Sequence, residues 1–150
     1  MELRREASPG DERHEIFVMN VRGIHEERET IMASKVLIFC GSDQPEKAFP
    51  PFMLGSGAVA LDMEVTLFFT MSGLNIVRKG GAENIQLSGA PKTLPEFIEV
   101  MRQSGAKMIA CSAAFPIVNC TEEDLIDGVE CGGVASFIID AEEADVVLTF

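Results

Sequence analysis

Four short runs of strand-forming apolar residues, each separated from the next by enough chain for a helix, constrain this sequence most. They are Val36-Leu37-Ile38-Phe39, Glu64 to Thr70, Ala106 to about Cys111, and Asp145 to Phe150. Uninterrupted apolar runs mark strands covered on both faces, because a half-exposed strand alternates apolar with polar. Strands that alternate with helices pair in parallel and carry helices on both sheet faces. The expectation is an α/β protein whose mainly parallel sheet has four to five strands.

The connections carry helix signals of their own. Ser42 or Asp43 can cap a helix with Pro45 in its first turn, reaching about Leu61. Pro50 and Pro51 predict a break or a late start in it. Thr93 caps a second helix with Pro95 near its start, Phe97, Ile98, Val100 and Met101 form its buried face, and Gly105 stops it. Thr121-Glu122-Glu123-Asp124 reads as a third helix start, with acids where the dipole favours them. A further helix is expected from about Val134 to Glu142, after Gly132-Gly133.

Residues 1–34 differ from the rest: thirteen are charged, and both histidines lie there. They read as a polar N-terminal extension, with Ile24 to Ala33 as a short helix and His14 and His25 as surface residues. Residues 35–150 then form one domain, large enough to bury a core without disulfides. The net charge of −12 argues against a nucleic-acid partner, which needs a basic face. From Glu122 to Asp145 there are nine acids and no Lys or Arg. That stretch is a solvated acidic face or a docking surface for a basic partner.

No cleavable signal segment opens the sequence, and its uncharged stretches of about 14 residues are too short to span a bilayer. Four cysteines without a CxxC pair exclude zinc-ligand spacing, and no metal or cofactor is implied. A reducing cytoplasm suits them.

In a parallel sheet the carboxyl ends of the strands share one rim, where ligands collect. The pattern places Cys40-Gly41-Ser42, Thr70-Met71-Ser72-Gly73 and Cys111-Ser112 on it. Asn75 lies close by, and Arg78-Lys79 form a basic pair able to stabilise a thiolate. Cys111 is the candidate nucleophile or carrier. Cys40 shares its strand-end position, as a resolving thiol or a buried core residue. Cys120 and Cys131 flank the third expected helix and read as structural. No histidine is placed as a papain-type base, and Gly41-Ser42-Asp43 matches no phosphate-loop pattern.

Several segments together resemble the DsrE/DsrF-like family, particularly its DsrE2 or "peroxiredoxin-like" branch. They are Glu64-Val65-Thr66-Leu67-Phe68-Phe69-Thr70, Gly73-Leu74-Asn75 with Arg78-Lys79, and Lys107-Met108-Ile109-Ala110-Cys111. Glu123-Asp124-Leu125-Ile126-Asp127-Gly128-Val129-Glu130 with Gly132-Gly133-Val134-Ala135 completes the set. The resemblance runs from about Lys35 to Phe150.

It implies a three-layer α/β/α sandwich and a homo-oligomer, a trimer or hexamer. It also implies a sulfur carrier or sulfurtransferase-like protein that takes sulfane sulfur as a persulfide on Cys111 from a donor protein and passes it to an acceptor. In that reading Arg78 or Lys79 stabilises the thiolate, and backbone N–H groups after Cys111 bind the persulfide. Ser112, Ser72, Gly73, Asn75 and Cys40 complete the expected site. A non-catalytic oligomeric module that binds a small ligand, and a redox sensor pairing Cys111 with another thiol, stay open. Phe49, Phe52, Met53, Leu54, Phe115 and Ile117 supply apolar surface for an oligomer or pack internally.

Overall fold

A computed structural model describes residues 34–150; the polar extension, its expected helix and both histidines lie outside them. Five parallel strands form one sheet: β1 (Lys35–Cys40), β2 (Glu64–Phe69), β3 (Lys107–Cys111), β4 (Val129–Gly132) and β5 (Val146–Thr149). Their spatial order is β4-β3-β2-β1-β5. Four α-helices accompany them: α1 (Pro45–Ala60), α2 (Leu94–Gln103), the single turn α3 (Phe115–Val118) and α4 (Val134–Glu143).

Side chains alternate across a pleated strand, so register decides which residues share a face. Phe39, Phe68 and Ile109 lie side by side, as do Cys40, Phe69, Ala110 and Cys131 in the next row. The second row faces α1 and α2, where Phe52 packs on Phe69 (centroids 6.1 Å apart) and on Phe97 (6.3 Å). The first row faces α4, whose Phe137 meets Phe68 at 4.9 Å and Phe39 at 5.5 Å. Burying each ring removes apolar surface from water, the main driving force for the fold.

Against expectation, α1 runs unbroken through Pro50 and Pro51. Each proline removes one backbone bond and tends to kink a helix. Here Ala48, Phe49, Pro51 and Phe52 are all buried against the sheet, and this packing holds the segment helical. At Gly55 a Cβ would come within 3.2 Å of Met101 Sδ and 3.6 Å of Ile38 Cδ1, which shows how closely α1 approaches α2 and the sheet.

α2 begins as its sequence indicates. Glu96 N–H donates to Thr93 Oγ1 (3.4 Å), and Thr93 N–H donates to Glu96 Oε2 (2.7 Å). Gly105 ends it at φ +76°.

The expected third helix is absent. Thr121 and Asp124 do cap one another, but only a 3₁₀ turn (Glu122–Asp124) follows, and Val129–Gly132 is the edge strand β4. Gly128, at φ +86°, turns the chain into that strand instead.

α4 then crosses the sheet from the β4 edge to the β5 edge, where Lys35 Nζ meets Glu143 Oε2 at 2.9 Å. Phe49 and Phe52 are buried, whereas Met53, Leu54 and Ile117 are exposed.

Candidate functional site at the carboxyl rim

β1 and β3 end in cysteines, which the pleat turns to opposite sheet faces. Cys40 stands in the row of Phe69 and faces α1 and α2. It is sealed, burial pushes its thiol far up from the ordinary range, and it donates to the Ile38 carbonyl at 3.7 Å. Cys111 ends β3 one row further on, in register with Gly132 of β4. That row faces α4, because a Cβ at Gly132 would lie 2.6 Å from Ile109 Cγ2 and 2.9 Å from Ser136 Oγ. Cys111 is 3% exposed. Ser112, just beyond it, is exposed and donates to Gly132 O (3.2 Å).

The remaining expected residues form a connected polar chain. Asp43 N–H donates to Ser72 Oγ (3.4 Å), and Asn75 Nδ2 donates to Asp43 Oδ2 (2.8 Å). Arg78 Nη1 donates to Asn75 Oδ1 and to Val118 O, both at 3.3 Å; Nη2 donates to Asn119 O at 3.4 Å and lies 4.0 Å from Asp124 Oδ2. Lys79 Nζ donates to Glu123 O at 2.7 Å.

The basic pair therefore spends its donors on the 118–124 connection and ties the segment after β2 to the segment before β4. Gly73 is required by contact, since a Cβ there would collide with the Cys40 carbonyl. Asp43, Asn75, Arg78, Lys79, Gly80 and Asn84 line a shallow cleft of about 630 Å³.

Two thiols lie by this connection. Burial raises the Cys120 thiol, and the Arg78 guanidinium opposes the shift without overcoming it. Cys131, exposed on β4, is raised by partial burial and then by the Glu122 carboxylate. Among the described residues, no group of three or more His, Cys, Asp or Glu is arranged to hold a metal ion, and no helix is long and apolar enough to cross a membrane.

Two further rim residues escaped the sequence reading as site members. Asp43, a candidate helix cap from its sequence position, instead accepts from Asn75 through its carboxylate, and Gln44 takes the cap position without a side-chain bond. Thr70, on the face and rim of Cys111, is the buried polar residue of the domain among those described. Strand parity, counted from Phe68, is the signal that would have picked it out.

The model of the DsrE/DsrF/DrsH-like family matches residues 32–93 and 89–149. The chain belongs to that family. Among similar proteins, YrkE of Bacillus subtilis, named as uncharacterized, is 28% identical, covering 80% of this chain and 98% of its own. The "Sulfur carrier protein DsrE2" of Allochromatium vinosum is 26% identical, covering 76% of this chain and 96% of its own.

Two solved structures share the DsrE-like fold. The ychN protein from E. coli superposes with a TM-score of 0.61 at 22% identity, covering 79% of this chain and all of that one. A protein of unknown function from Methanobacterium thermoautotrophicum gives 0.63 at 15%, covering 78% and 99%. At these identities the likeness establishes the α/β sandwich, which the five-stranded parallel sheet displays directly.

Proposed function

We propose that this DsrE-family protein is a sulfur carrier: Cys111 accepts sulfane sulfur as a persulfide from a donor and hands it to an acceptor thiol. The observation that carries the reading is the position of Cys111, where β3 ends and the carboxyl rim begins, beside a residue with no side chain. Ligand chemistry in open parallel sheets collects at that rim. The relative named a sulfur carrier supports the same reading.

Arg78 and Lys79 serve the site indirectly in this proposal. They fix the connection that leads from β3 to β4, and the low exposure of Cys111 protects a loaded sulfur from stray thiols. Loading then requires the 112–119 segment to open. A cytoplasmic location suits reduced thiols.

A second copy of the chain is the proposed cover for the outer face of α4, where Val134, Ile138 and Ile139 are exposed together with Val147 of β5. Isolated exposed apolar residues are ordinary, but a cluster on one helix and the neighbouring strand is the kind of patch that oligomers bury.

The test is intact mass of the reduced protein after exposure to a low-molecular-weight persulfide, with Cys111→Ser alongside. A reductant-labile gain of about 32 Da, one sulfur, mapped to Cys111 supports the carrier, since loading follows thiolate reactivity and access. No gain, or a gain spread over all four cysteines, overturns it. The cleft beside Asp43 and Asn75 would then favour small-ligand binding.

A further inference from the structure

We propose that Cys120 and Cys131 form a reversible disulfide that clamps the connection after β3 onto the edge strand β4 and so closes the way to Cys111. The pair lies outside the Cys111 site, and it does not depend on Cys111 carrying sulfur.

Register sets one half of the pair. Cys131 stands in the row of Phe69 and Ala110, and so turns to the α1 and α2 face of the sheet. The connection from β3 to β4, residues 112–128, passes over that same face. β1 to β4 are successive neighbours in the sheet, and right-handed crossovers taken in one direction all lie on one side. Leu125 of this connection is 5% exposed and bridges to Arg78, while Ile126 N–H donates to Val77 O at 2.9 Å. These contacts seat the connection in the core.

Backbone conformation sets the other half. Asn119, in the left-handed region at φ +52°, ends α3 and turns the chain back. Thr121 is extended (φ −127°, ψ 168°), so the side chains of Cys120 and Glu122 project to one side and that of Thr121 to the other. Asp124 Oδ2 occupies Thr121, accepting from its N–H at 2.8 Å and its hydroxyl at 3.0 Å. Cys120 is 6% exposed, so the side it shares with Glu122 is the one facing the sheet. Both of these residues act on the Cys131 thiol: after partial burial, Glu122 and then Cys120 raise it. A thiol on the connection thus meets a thiol on the strand, and the strand thiol is open to solvent at the sheet edge.

The closure balances with a low-molecular-weight disulfide as oxidant. The Cys131 sulfur attacks one sulfur of that disulfide, forming a mixed S–S bond as the reagent's own S–S bond breaks. The departing small thiol takes the proton that Cys131 released. Cys120 then attacks the Cys131 sulfur, and the second small thiol leaves with the proton of Cys120. Two protein thiols are oxidised and one small disulfide is reduced to two thiols. The new bond fixes residue 120, directly after the 112–119 segment, to β4. Cys111 is 3% exposed, so reagents reach it when that segment opens.

The experiment incubates folded, full-length wild type, Cys120→Ser and Cys131→Ser with glutathione disulfide, followed by non-reducing peptide maps. Wild type should give a Cys120–Cys131 crosslink that reductant reverses; such a bond requires Cα atoms within about 7 Å. Cys120→Ser should stop at a glutathione adduct on Cys131. Cys111 alkylation should be slower by about tenfold or more in oxidised than in reduced wild type, because a disulfide makes local opening rarer.

A stable glutathione adduct on Cys131 of wild type, or a crosslink joining Cys131 of two copies, overturns the pair. An equal Cys111 rate in both oxidation states overturns the clamp. Should Cys120→Ser unfold in parallel thermal melts, Cys131→Ser, altered at an exposed position, must lose both the crosslink and the slowing.

Discussion

Cys40 and Cys111 end strands of the same sheet on the same rim, and the pleat turns them to opposite faces. A disulfide needs Cα atoms within about 7 Å and side chains that point toward one another. Since β2 separates β1 from β3, and strands lie about 4.8 Å apart, these two cysteines fail on both counts. Mild oxidation should therefore yield no Cys40–Cys111 crosslink in non-reducing peptide maps of the folded protein. Recovery of that peptide pair from native protein would refute the register.

Cys131 should be the first thiol alkylated, as Cys111, Cys40 and Cys120 are buried. Partial burial and the Glu122 carboxylate both raise its thiol above the usual value. Its alkylation rate should thus climb at higher pH than a free cysteine's, and Glu122→Gln should move that climb downward. Rates against pH, read by peptide mass, check the direction; an unchanged profile would dissociate Glu122 from Cys131.

Arg78 holds the 118–124 connection through two backbone carbonyls and the Asn75 amide. Arg78→Ala should cost about 1–3 kcal/mol, the scale of a buried partner left unsatisfied, and should expose the rim to faster Cys111 alkylation. Arg78→Lys should recover little of this, because an ammonium cannot span three acceptors in the guanidinium plane. Denaturant unfolding and alkylation rates measure the two effects separately.

At Gly132 the obstacle to a side chain is Ile109 Cγ2 and Ser136 Oγ. Gly132→Ala should lift the start of α4 off the strand end and destabilise the fold by about 1–3 kcal/mol, as overpacking does. Unchanged melting would show that α4 can shift freely.

Glu96 and Asp124 cap turns by accepting from Thr93 and Thr121, and these bonds hold both carboxyls below their ordinary range. A lowered carboxyl stabilises the folded state above its unfolded pKa, and that contribution fades as pH falls through the folded value. Stability should hold at neutral pH and decline below about pH 4.5, near the ordinary glutamate value. Glu96→Gln should lower the neutral plateau and flatten the acid decline. Urea melts between pH 2 and 7 test the shape.

The sequence by itself determined the layered α/β class, the strand ends on a shared rim and the capped, glycine-stopped α2, because apolar run length and capping chemistry are local. Family membership was also legible there, in the segments around Phe68, Cys111 and Gly132-Gly133. Only the tertiary structure decided that α1 survives Pro50 and Pro51, since packing of Phe49 and Phe52 outweighs two lost backbone bonds. It also made Val129–Gly132 a strand rather than part of a helical stretch, because pairing with β3 supplies hydrogen bonds that no local signal announces. The partners of the rim were decided the same way. Register separated Cys40 from Cys111 and joined Thr70 to it, and Arg78 proved to be a brace for a distant loop. Each of these depends on which residues stand side by side across strands, a relation that exists only after the sheet has formed.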